Sequence, residues 1–216
     1  MKANVKLSIK LFLLMFLMVT TSVYPQVHSD FNKSKTILNQ VIVEGSPQQV
    51  WKVLKAYGTV SNFNATIDES YMLDQSTGEA KLGAEREIHI PNGINNIINK
   101  ERIVAYVDGV YYTYDVYETE NFPTKQMEVT YGVRRNGSGQ TVLFSRMEYE
   151  MNNYLNTRMF KGKLKKSNFD SLLSFKNYIE TGEMNTDLKE LRKRYSETES
   201  EDEDTADFAI RVEPTD

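Results

Sequence analysis

The spacing of apolar residues changes rhythm along this chain. From Ile37 to Val43 the pattern alternates, with Leu38, Gln40 and Ile42 set against Ile37, Asn39, Val41 and Val43, which predicts a strand. Gly45 and Ser46-Pro47 end it and open a helix, with Ser46 as N-cap and Pro47 at the first helical position. Val50, Trp51, Val53 and Leu54 give that helix its apolar side, Gly58 is the expected stop, and Val60 to Asn64 reads as a second short helix or turn. Six alternating segments follow, 66–73, 82–90, 97–107, 110–117, 125–134 and 140–151, separated by turn signals such as Pro91-Asn92-Gly93, Asp108-Gly109 and Asn136-Gly137-Ser138-Gly139. Near the end the period lengthens. Leu164, Asn168, Leu172, Phe175 and Ile179 recur at steps of three and four, widened by Phe169 and Leu173, and Gly182 stands where a left-handed cap would close a long helix.

Strands joined in sequence by tight turns make an antiparallel meander. The expected architecture is therefore α+β: a seven-stranded antiparallel sheet against a long C-terminal helix, with two short helices after the first strand. Alternation also assigns faces, because charged residues must reach water. Leu143, Ser145, Met147, Tyr149 and Met151 should face the helix, as should Met127, Val129, Tyr131 and Val133, and also Tyr112, Tyr114 and Val116. Ala84, Arg86, Ile88 and Ile90 share an inward face, which puts His89 outside. Glu101, Ile103, Ala105 and Val107 are assigned inward on the next strand. On the late helix Lys163, Lys165, Lys166, Asp170, Lys176 and Asn177 are expected on the solvent side.

Composition narrows the chemistry. The chain has 216 residues, 40% of them hydrophobic, and a net charge of −4, with no basic stripe of interleaved aromatics, so nucleic acid is not an expected partner. It has no cysteine and two histidines, His28 and His89, which leaves little for thiol or histidine catalysis; no metal and no cofactor is expected. Lys2, Lys6 and Lys10 precede the apolar run Leu11 to Val19 and the small residues Thr20 to Ser22. This is the layout of a secretory leader over 1–25, cut after Ser22 or near Gln26, too short to span a bilayer comfortably. The expectation is a secreted or periplasmic protein with no stable membrane span once the leader is removed. Residues 183–195 read as a helical extension and 196–216 as an acidic disordered tail.

The order of elements resembles the helix-grip fold of the START-like, Bet v 1-like superfamily, in particular its polyketide cyclase/dehydrase and lipid-transport group. Local residues carry the resemblance: Val41 to Trp51 is similar to the group's opening strand and Pro-x-x-Val-Trp helix, and Gly83-Ala84-Glu85-Arg86 to its Gly-x-x-Arg strand. Glu101-Arg102-Ile103 and Gly139-Gln140-Thr141-Val142 look like two later strand motifs, while Phe144 stands where many members have tryptophan. The resemblance spans residues 35–182. It implies a sheet wrapped around the last helix and a cavity for an apolar or amphipathic guest, such as a lipid or polyketide-like compound.

Under that resemblance Arg86, Ile88, Glu101, Tyr112, Tyr114, Met127, Tyr131, Ser145, Met147, Phe169 and Leu172 are the candidate ligand-binding residues. An inward Arg and an inward Glu must find partners, because an isolated buried charge is prohibitive. Either Arg86 and Glu101 bridge and anchor adjacent strands, or they orient a ligand's polar end, or the phase is misread and they lie at the surface. Three functions stay open: a ligand carrier, a cyclase/dehydratase-type enzyme using Glu101 as acid/base, and a protein-interaction module whose cavity is filled by its own side chains. The sequence names no protein partner.

Overall fold

The computed structural model describes residues 34–74, 77–184 and 186–196; the expected leader and residues 197–216 lie outside them. Seven antiparallel strands form one sheet: β1 (Lys35–Val43), β2 (Glu69–Met72), β3 (Glu85–Ile90), β4 (Ile97–Val107), β5 (Tyr111–Glu120), β6 (Thr124–Arg135) and β7 (Thr141–Met151). Their order is β1-β7-β6-β5-β4-β3-β2, so the meander runs in sequence and the first strand pairs with the last, Ile37 opposite Met147 and Val41 opposite Leu143. Between β1 and β2 come α1 (Pro47–Leu54) and a 3-10 turn over Tyr57–Asn62; after β7 come α2 (Tyr154–Met159), α3 (Lys161–Thr181) and α4 (Leu188–Arg194). The long α3 packs on β1 and β7 and on α1. This is the expected α+β helix-grip arrangement.

The ends of these elements follow from local chemistry. Ser46 and Gln49 close a reciprocal capping box at α1: the Gln49 N–H donates to Ser46 Oγ at 3.2 Å and the Ser46 N–H to Gln49 Oε1 at 2.7 Å. The helix stops at Leu54, short of the expected Gly58. Gly58 has another task, donating its N–H to the Gly78 carbonyl, and a Cβ there would meet Gly78 Cα at 3.1 Å. Strand β2 is shorter than its alternation suggests, because Asn64 Oδ1 takes the N–H and hydroxyl of Thr66 and holds that stretch in a turn. Gly182 does close α3 in the left-handed conformation, at φ 74°.

Most inward assignments hold. Leu143, Ser145, Tyr149, Met151, Val129, Tyr112, Ala84, Arg86 and Glu101 are all buried. The exception lies on β4. The pairing with β5 slips at Val104, which has no partner between Ile103↔Tyr114 and Ala105↔Thr113. That extra residue reverses the phase. Ala105 and Val107 therefore turn outward, while Tyr106, opposite Tyr112, packs against the Trp51 ring at 5.8 Å. Asp108 ties this corner down, accepting from Trp51 Nε1 at 3.0 Å and from the Tyr106 hydroxyl at 2.6 Å.

A second correction concerns α3. Asp170 and Asn177, expected on the solvent side, are buried because α4 folds back over them. Arg192 grips Asp170 with Nε at 2.9 Å and Nη2 at 2.5 Å, and Arg194 Nη1 donates to Asn177 Oδ1 at 2.6 Å. Leu191, wholly buried, anchors the apolar side of α4.

Candidate functional site

Between the sheet and α3 lies a cavity of about 150 Å³. Its apolar wall is built by alternation: Ile88 on β3, Ile97 on β4, Val116 on β5, Met127 and Val129 on β6 and Met147 on β7 each project inward from their strand. Leu164, Asn168 and Ser171 close it from α3, at the three-to-four spacing of one helix face. The lining residues exposed to solvent are Pro91, Asn92, Lys163 and Ser167, which mark the mouth; there Lys163 Nζ donates to Asn92 Oδ1 at 3.1 Å.

Several polar side chains inside are fixed. Ser171 joins the Asn64 Nδ2 (2.8 Å) and the Tyr131 hydroxyl (3.0 Å), and Asn168 bridges Asn39 Nδ2 (2.7 Å) and Ser145 Oγ (2.8 Å). Asn99, on the same face as Glu101, accepts from the Thr119 hydroxyl at 2.8 Å. Burial pushes the phenol pKa of Tyr131 up and that of Tyr114 well up, so at neutral pH both hydroxyls are protonated.

Glu101 is the one carboxylate on the wall among the described residues, and it is 1% exposed. Arg86 sits behind it, with Nε at 2.8 Å and Nη2 at 2.7 Å from the same oxygen, Oε2. The third guanidinium nitrogen donates to the Tyr57 carbonyl at 2.6 Å, and the guanidinium lies 3.8 Å over the Tyr57 ring. Each guanidinium nitrogen of Arg86 is thus engaged, whereas Glu101 Oε1 has no hydrogen-bond partner among the described residues. Burial raises the Glu101 carboxyl above the usual carboxylate range, and Arg86 pulls against that shift. The Tyr114 hydroxyl, on the same wall, also makes no hydrogen bond within the described residues and remains available as a donor.

Of the candidate residues, Ile88, Glu101, Tyr114, Met127, Tyr131 and Met147 come together on this wall. Arg86, Tyr112, Ser145, Phe169 and Leu172 do not line it. Arg86 is spent behind Glu101. Tyr112 belongs to an aromatic cluster, 6.3 Å from Trp51 and 5.7 Å from Tyr57. Ser145 is covered by Asn168, Leu172 is wholly buried core, and Phe169 packs against that core beside it. Asn99, Val116, Leu164 and Ser171 also line the cavity without having been site candidates, although alternation had placed Val116 inward and the helical period had placed Leu164 on the buried stripe. Asn99 could have been found by stepping two residues back from Glu101, and Ser171 by stepping three on from Asn168.

A curved antiparallel sheet closed by a long helix over an interior cavity defines a class of ligand-holding domains. The chain belongs to one family of that class, described as polyketide cyclase / dehydrase and lipid transport, which it matches over residues 35–180. Solved structures agree on the fold. A ginseng major latex-like protein from Panax ginseng superposes with a TM-score of 0.55 at 23% identity, covering 69% of this chain and 97% of its own. A protein from Nitrosospira multiformis gives 0.53 at 12%, covering 68% and 98%, and Ara h 8.0201 gives 0.52 at 8%, covering 68% and 97%. No curated protein sequence matches the chain.

Proposed function

We propose that the protein is an exported carrier that binds one small amphipathic molecule, of lipid or polyketide-like chemistry, between sheet and α3. The guest's apolar body packs against Ile88, Val129, Met127 and Met147, and its hydrogen-bonding end meets Glu101 and Tyr114. The observation that carries this is the Glu101 carboxylate: Arg86 holds one oxygen and leaves the other as an acceptor on the wall of a mainly apolar cavity. That oxygen faces the cavity, where a donor carried by a guest can reach it. The open volume weighs against an interior filled wholly by the protein's own side chains. Export is supported by the basic residues and short apolar run at the start of the sequence.

The cavity sets the guest's size. Small-molecule sites usually measure roughly 300 Å³ or more, so a guest larger than a small aromatic ring needs Met127 and Met147 to swing aside. Methionine is the side chain best able to do so. Titration with 2-naphthol, followed by its own fluorescence, should give saturable binding. Met147→Trp should fill the space and lower affinity at least about tenfold with an unchanged melting temperature; Val129→Phe provides a second filling variant should the first melt early. Absence of saturable binding, or naphthol affinity indifferent to both substitutions, would place any guest elsewhere. The enzyme reading would make Glu101 a proton acceptor and is tested separately: Glu101→Gln should then abolish turnover of a cyclisable polyketide analogue.

A further inference from the structure

We infer that the end of the fold where the cavity opens is a docking surface for an anionic lipid bilayer. Three connections meet there: the β3–β4 turn (91–96), the β5–β6 turn (121–123) and the segment 152–163 containing α2. Asn121 Nδ2 donates to the Asn96 carbonyl at 2.8 Å, the Asn152 N–H to the Pro123 carbonyl at 2.9 Å, and the Phe122 and Phe160 rings meet edge to face at 5.4 Å. The Lys163–Asn92 hydrogen bond joins the start of α3 to the first of these turns. The arrangement is therefore one connected surface.

This surface carries apolar residues where a soluble end would not. Among the described residues the four most exposed large apolar side chains are Ile94 (100%), Met159 (69%), Leu82 (66%) and Leu155 (65%), and three of them are here. Leu155 and Met159 are one helical turn apart, so they share a face of α2. The charge on the helical segment has one sign, with Asp68, which accepts from Asn96 Nδ2, and Glu120 flanking the two turns. Arg158, Lys161, Lys163, Lys165 and Lys166 fall between Glu150 and Asp170 with no acidic residue among them, and neither turn contributes a carboxylate, in a chain of net charge −4. Arg158, Lys161, Lys163 and Lys166 are exposed.

Apolar tips flanked on one side by a run of cations fit a membrane interface, where the tips enter the acyl boundary and the cations meet anionic headgroups. No helix among the described residues is long and apolar enough to cross a membrane, so contact at the surface is the mode that fits. Pro91, Asn92 and Lys163 belong both to this surface and to the mouth, so an amphipathic guest could pass from bilayer to cavity without traversing water. The surface stands on its own residues whether or not the carrier reading holds.

Co-sedimentation of the full chain with vesicles of phosphatidylcholine, and of phosphatidylcholine mixed with phosphatidylglycerol, tests this. Residues 1–33 are common to every variant, so their own affinity cancels. The chain should prefer the anionic vesicles. Reversing Arg158, Lys161 and Lys166 to Glu should remove that preference, and Leu155→Asp with Met159→Asp should cut anionic partitioning by about tenfold or more. All five positions are exposed, so the melting temperature should not move. A preference that survives charge reversal overturns the inference. So does binding to vesicles and to heparin that is equally indifferent to the two aspartates, which would mark a general polyanion site.

Discussion

Arg86→Met tests how the site's one charged pair is held. Arg86 is 3% exposed and Glu101 1%, and methionine keeps much of the arginine's volume while deleting its guanidinium. Lost with it are both contacts to Glu101 Oε2, the hydrogen bond to the Tyr57 carbonyl and the stacking on the Tyr57 ring. What remains is a buried carboxylate without its counter-ion. Breaking a buried pair on one side costs about 3–5 kcal/mol, which for a domain of this size is a fall in melting temperature of roughly 6–20 °C. Burial already raises the Glu101 carboxyl, and without Arg86 nothing opposes that rise. A carboxyl raised in the folded state is at no disadvantage below its unfolded pKa of about 4.3. It loses stability as pH climbs through the folded value. The gap between variant and parent should therefore be smallest in mild acid and widen toward neutrality. Urea denaturation of both proteins across that range measures it. The companion Arg86→Met with Glu101→Leu removes both charges and should recover most of the loss. A double variant no more stable than the single, or a gap that does not change with pH, would show that the pair is not what holds β3 to β4 at this point.

The other predictions concern how the walls are positioned. A Cβ at Gly132 would strike the Phe144 ring opposite it on β7 and come within 2.9 Å of Tyr111 Cβ, so Gly132→Ala should cost about 1–3 kcal/mol in urea denaturation. Arg192→Ala releases the grip on Asp170 and should raise amide hydrogen exchange across Leu188–Arg194 while leaving exchange in β6 and β7 unchanged. Asn168→Leu leaves Ser145 and Asn39 each short of a partner. It should destabilise by about 1–3 kcal/mol and weaken 2-naphthol binding, since the leucine branches toward the cavity.

The fold was legible because it rests on periodicity, and the inner face of β6 and β7 could be read residue by residue from where the charges fall. Ser46-Pro47 likewise announced a helix start whose capping box the structure shows. The misreadings have one physical source, which is that a third element changes what a local pattern means. Asp170 and Asn177 looked solvated because the seven-residue α4 that covers them lies 11 to 24 positions further along the sequence. Ala105 and Val107 were misplaced because one unpaired residue, Val104, reverses the alternation, and a bulge has no signature in apolar spacing. For the site, Arg86 and Glu101 were correctly placed inside. That both nitrogens of the fork take the same oxygen, leaving Arg86 behind Glu101 and Glu101 on the cavity wall, follows from three-dimensional packing and has no trace in residue spacing.

The cavity itself has a physical cause in α3. The buried face of α3 carries Asn168, Ser171 and Ser174 among its leucines. Each is pegged: Asn168 to β1 and β7 through Asn39 and Ser145, Ser171 to Asn64 and to Tyr131 on β6, and Ser174 to the Ala65 N–H at 3.2 Å. Apolar contacts tolerate sliding and closer approach, so a helix held by leucines alone would settle until the void closed. Hydrogen bonds fix both distance and direction, and lose their strength steeply outside a narrow range. The pegs therefore hold α3 at a set height over the sheet, and the space between Asn168, Ser171 and the inward side chains of β3 to β6 stays open. The polar residues on the buried face of α3 are in this reading the ones that keep the interior hollow.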